Sequence, residues 1–203
     1  MTSTLAVTPM ESLKPLQEIT EPDVRNTYFV VRDTSALARK LTLSDIHEVA
    51  SEVVLLEVVP EHIRSHFAQA QNLAVYSWFH YPFNVTAQFM AFVSVEFALK
   101  HRFKSKASFK HLIRRAVDEQ LVRDEGFAIA RHRAASETKY VETLVEVMPK
   151  LRNELAHGSS MLHNNSLSSL RICAEFINQL YQPQVTTNPA VHTDLARKAA
   201  QGR

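Results

Sequence analysis

Between Val85 and Arg102 the chain leaves a helix almost no polar face. Phe89, Met90, Phe92, Val93, Val95, Phe97 and Leu99 cover nearly every side. A helix that is apolar all round must be surrounded, either at the centre of a bundle or at a subunit interface. Its most apolar part, FMAFVSVEFALK, is about a dozen residues long and carries Glu96, too short and too charged to span a bilayer. The neighbours it needs read as helices too. Only three glycines occur in 203 residues, and the apolar residues come in long runs with few turn signals. That pattern suits helices better than a sheet of hairpins. With 45% apolar residues the chain can bury a real core, and its length suits one domain with extensions.

Helical spacing recurs along the chain. Ile46, Val49, Val53 and Leu56 predict a helix with Ser44 as its N-cap. Pro60 suits the first turn of the next, whose core face is Ile63, Phe67, Ala70, Ala74 and Trp78. HYPFN interrupts before the apolar helix. Ser108 to Val122 predicts another helix, closed by RDEG. Tyr140, Leu144, Val147, Leu151 and Leu155 then form one stripe, which Pro149 should kink or restart. The last helix is expected over Ser166 to Tyr181, burying Leu167, Leu170, Cys173, Phe176, Ile177 and Leu180. The expected organisation is an N-terminal arm over 1–40, partly extended or mobile, an all-α domain over 41–182 and a tail over 183–203. Within the arm, TYFVVRD reads equally as a short strand or an extended docking segment.

A formal charge of +2 does not by itself imply a nucleic-acid partner; only a local cluster can. The single cysteine excludes an intramolecular disulfide and any multi-cysteine zinc site. No signal peptide is legible at the N-terminus, and the expectation is a soluble cytoplasmic protein.

The stretch LRNELAHGSSMLH raises the functional question. Gly158 is an ordinary helix stop, and a histidine in the last turn interacts favourably with the helix dipole. Geometry adds a second reading. Leu151 and Leu155 lie about 40° apart on the buried face, Asn153 and His157 share the opposite side, and Arg152 falls between. His157 therefore points to solvent or to a second subunit. These groups suit RNA cleavage, in which the 2′-OH attacks the neighbouring phosphate without metal or cofactor. His serves as base or acid, worth roughly 10²–10⁴ in rate. Arg offers a permanently charged fork to the phosphate. One such His per chain becomes two in a symmetric dimer.

RNELAH resembles the R-N-x-x-x-H form of the R-x(4–6)-H signature of HEPN domains, helical domains often found in ribonucleases. VPEHIRSHFAQAQNLAVYSWFHYPF with TAQFMAFVSVEFALKHRF is similar to the first helix pair of small bacterial HEPN-like proteins. FKHLIRRAVDEQLV and MPKLRNELAHG follow in that family's order. The resemblance covers about residues 45–181. It implies an HEPN-like bundle of four to five helices that dimerises, with both motifs meeting in a cleft. In active members it implies metal-independent RNA cleavage leaving a cyclic phosphate and a 5′-hydroxyl. Carried over, Arg152 stabilises the phosphate, His157 is base or acid, Asn153 is a polar helper, and Glu96 occupies a place where relatives carry an acid. The same resemblance points to a toxin or anti-phage defence effector, with an antitoxin or regulatory protein as a further partner. The alternative is a catalytically inactive HEPN dimer that binds RNA, a nucleotide or a partner protein.

Further candidates lie outside the motif. Lys100, Arg102, Lys104, Lys106, Lys110, Arg114 and Arg115 form a run without an acidic residue, within which His101 and His111 add protonatable positions. They either neutralise an RNA backbone or form a solvated connection between helices. Phe103 and Phe109 either stack on bases or anchor that connection. His62 and His66 stand at i, i+4, a spacing that can bind metal, but the HExxH pattern is missing. Glu96, inside an apolar helix, must be paired, protonated or at an interface; a structural hydrogen bond to Tyr76, Tyr81 or an arginine is the alternative to a site role.

Overall fold

The computed structural model describes residues 11–32, 38–131, 139–158 and 162–183. The first ten residues of the arm and all of the expected 183–203 tail except Pro183 therefore lie outside the described residues. The described residues open with 3-10 turns at Leu16–Glu18 and Val24–Tyr28 and a two-stranded antiparallel ladder, β1 (Val30–Arg32) with β2 (Ala38–Lys40), in which Val31 faces Arg39. TYFVVRD thus contributes a strand. Seven α-helices follow among the described residues: α1 (Leu43–Ser51), α2 (Glu61–Tyr76), α3 (Phe83–Phe103), α4 (Phe109–Asp118), α5 (Ala128–Arg131), α6 (Tyr140–Ala156) and α7 (Ser166–Tyr181). The protein is mostly helical.

The residues at the helix ends explain the boundaries. Thr42, not Ser44, caps α1: its hydroxyl accepts from the Asp45 amide while the Asp45 carboxylate accepts from the Thr42 amide. Ser108 caps α4 by accepting from the His111 amide. Pro60 immediately precedes α2, with fixed φ near −51°. Pro149 neither stops nor restarts α6, which runs through it from Tyr140 to Ala156 with Pro149 buried. Val53 and Leu56 do not continue α1, which ends at Ser51; Val53 still reaches the core from the following loop, whereas Leu56 is exposed.

α3 is the centre of the bundle, packed on α2, α7, α6 and α4. Ala87, Ala91, Val95 and Ala98 on α3 are fully buried and let these neighbours approach closely. Around them lie Ile63 and Phe67 of α2, Leu112 and Ile113 of α4, Met148 of α6 and Leu170, Cys173, Phe176 and Ile177 of α7. Trp78 is only half-buried, and Val147 faces outward instead of joining the α6 stripe. Buried polar pairs bind α3 to α7: Gln88 Nε2 donates to Ser169 Oγ, and Ser166 Oγ donates to Asn84 Oδ1. No helix among the described residues is long and apolar enough to cross a membrane.

Residues 11–28 of the arm are pinned to the turn between α2 and α3. Asn26 Nδ2 donates to the carbonyls of Ser77 and Trp78, the Asp23 amide donates to Trp78 O, and Asp23 Oδ2 accepts from the Tyr81 amide. These contacts satisfy carbonyls that the end of a helix otherwise leaves open.

Candidate functional site

Arg152 and Glu96 meet across the α3–α6 contact. Glu96 is 7% exposed, and its Oε2 accepts a short charge-assisted bond from Arg152 Nη2. Its other oxygen, Oε1, lies 2.7 Å from Lys100 Nζ, one turn on. Arg152 Nη1 donates to Asn153 Oδ1 at 3.0 Å, while its Nε is buried with no partner among the described residues. Of the partners considered for Glu96, the arginine is the one present; Tyr76 is exposed and Tyr81 belongs to the arm contact.

His157 ends α6. Its amide donates to Asn153 O, and Gly158 follows with φ +86°, the left-handed conformation that favours glycine. The side chains of Asn153 and His157 are exposed on the face away from the core, and Leu151 and Leu155 are half-buried on the other. The imidazole has no hydrogen-bond partner among the described residues. The structure thus brings Glu96, Lys100, Arg152 and Asn153 into one connected group, with His157 one helical turn beyond Asn153. One carboxylate against two cations leaves that group with a formal charge of +1.

The rest of the basic run is largely engaged. Lys110 pairs with Glu146 at 2.5 Å, Arg114 with Glu142 at 2.5 Å and Arg115 with Glu119 at 2.6 Å. Arg102 Nε donates to Leu180 O. Lys104 and Lys106 are exposed and make no ion pair among the described residues. Exposed pairs of this kind are worth about 0–1 kcal/mol, so a phosphate backbone can displace them. Phe109 is buried, and Phe103 lies under the Arg115 guanidinium at 4.3 Å, so both anchor the connection between α3 and α4.

His62 and His66 both lie against Phe97 of α3. His62 stacks edge-on to His101 with ring centroids 4.8 Å apart, and His66 Nδ1 bonds Ser94 Oγ. Ser94 Oγ also lies 2.8 Å from Met90 O, one turn back on α3. Burial holds the His66 pKa below the ordinary value. Among the described residues no group of three or more His, Cys, Asp or Glu side chains is arranged to hold a metal ion. Cys173 is fully buried in the core, and burial pushes its thiol pKa far up.

Compared with models of protein families, with curated proteins and with solved structures, the chain matches none of them.

Proposed function

We propose that the protein is a metal-independent endoribonuclease of the HEPN type, acting as a homodimer whose two Arg152–Asn153–His157 motifs share one cleft. The observation that carries this reading is the group around Glu96. A buried carboxylate fixes Arg152, Lys100 keeps the cluster cationic, and the exposed imidazole of His157 has no partner among the described residues at the adjoining helix end. In this reading Arg152 and Lys100 hold the scissile phosphate, one His157 removes the 2′-OH proton, and its twin protonates the leaving 5′-oxygen. Asn153 orients the bound phosphate. Lys104 and Lys106 meet the backbone on either side, and the paired cations of α4 exchange their carboxylates for phosphates. A cell carrying such an enzyme needs it restrained, which fits a toxin or defence effector with a regulatory protein partner.

A second reading has its own observation. Arg152 already donates Nη2 to Glu96 and Nη1 to Asn153, as a positioning residue does, which favours an inert helical dimer that binds RNA or another partner. Incubation of the protein with end-labelled RNA in EDTA separates the two. The ribonuclease reading expects cleavage to 5′-hydroxyl products, lost by about 10²-fold or more in His157→Ala and Arg152→Ala. RNA retained intact by the parent protein supports the binding module.

A further inference from the structure

At the opposite end of α2 from the arm contact, Arg64 lacks a partner among the described residues. It is half-buried, its Nε is sealed from solvent, and among the described residues its guanidinium makes no hydrogen bond or ion pair. Glu61 stands one turn before it on the same helix, yet among the described residues no carboxylate lies within ion-pair distance. An arginine cannot shed its charge, and a buried donor without an acceptor is rare in a folded protein. Arg64 lines a cleft of about 270 Å³ between α2 and the loop leaving α1, with Ser51, Val54, Phe67 and Gln71.

The remaining polar groups there are spoken for in one direction only. Gln71 Nε2 donates to the carbonyls of Ala50 and Val53, both at 2.9 Å, which leaves the carboxamide oxygen as its spare group. Ser51 Oγ gives its proton to Glu48 O at 2.7 Å and keeps its lone pairs. The cleft therefore offers a planar cationic fork, two acceptors and an apolar wall that includes Val54, which is 62% exposed. The complement is a small molecule with a carboxylate for the fork, an adjacent donor for the acceptors and a short apolar body.

We propose that this cleft binds a small carboxylate bearing its own hydrogen-bond donor, of the α-amino-acid class, with Arg64 taking the carboxylate and Gln71 and Ser51 the amino group. The site is independent of the Arg152 motif and stands whether or not the protein cleaves RNA.

Calorimetric titration of the full chain with L-leucine tests it. Saturable binding is expected, about tenfold weaker for leucinamide, which lacks the carboxylate, and for isocaproate, which lacks the amine. Arg64→Gln should abolish it. Arg64→Lys retains the charge without the fork and should weaken it about tenfold, which decides the matter if the glutamine variant fails to fold. No saturable heat with L-leucine, equal binding of leucinamide, or binding unchanged in both variants overturns the proposal. So does inorganic phosphate binding through Arg64 while L-leucine does not.

Discussion

Glu96 shows how much a partner matters to a buried charge. A carboxylate sealed inside an apolar helix is unaffordable alone, and the arginine of the next motif supplies its counter-charge. The two cations on it are not equivalent. Lys100 is an i,i+4 neighbour whose side chain is 43% exposed, so Lys100→Ala should cost no more than about 0.5 kcal/mol. Glu96→Gln keeps the shape but leaves Arg152 partly buried without its counter-charge, and about 1–3 kcal/mol of stability should go. Urea titration of both variants checks that order; equal losses contradict it. Asp23 gives the pH counterpart. Burial alone would push its carboxyl up, but the Arg25 guanidinium and the Tyr81 and Arg25 amides outweigh this and hold it down at about 2, against 3.8 unperturbed. A depressed carboxyl contributes fully above its unfolded pKa and loses that contribution as pH falls through the folded one. Asp23→Asn should therefore cost about 2 kcal/mol near neutrality. The gap from wild type should close as urea titrations move from about pH 4 to about pH 2.

At the scale of the element, periodicity carried well where a helix has one buried face. The bounds of α7 coincide with those read from Ser166 to Tyr181, because its stripe is regular and long. Ends decided by a few polar atoms were less legible. Ser44 and Thr42 are both good caps in isolation, and only the reciprocal bond from Asp45 selects Thr42. The ring and missing N–H of Pro149 work against a helix interior and predict a kink or restart, yet α6 runs from Tyr140 to Ala156 through it, with Pro149 buried beside Met148. The close of α3 shows a residue the local conformation does not favour: Lys104 sits at φ +48°, where a side chain crowds the backbone. Lys104→Gly should raise stability by about 0.5–1 kcal/mol, seen as a higher urea midpoint with unchanged slope. No gain would mean that the lysine side chain compensates for its own strain.

Over the whole molecule, contacts between distant segments were what the sequence concealed. Glu142 and Glu146 lie some thirty residues from the cations they neutralise, so the basic run looked bare when read along the chain. The arm has no periodicity, and its docking through Asp23 and Asn26 becomes visible only beside the carbonyls at the end of α2. Arg64 drew no notice in the sequence, since an arginine on a helix ordinarily faces water. The motif was different: Arg152, Asn153 and His157 fall on faces that helix geometry alone assigns, and the fold keeps Asn153 and His157 exposed.

The central claim is that two copies of His157 face each other, and the chain suits a direct probe of it. Its one cysteine, Cys173, is fully buried, so His157→Cys places the single accessible thiol of the molecule at the motif. Mild oxidation of that variant, read on a non-reducing gel beside Glu52→Cys as an exposed control, measures whether the two positions meet. A covalent dimer should form rapidly from the His157→Cys protein and slowly or not at all from the control. A His157→Cys protein that stays monomeric, or cross-links no faster than the control, contradicts it.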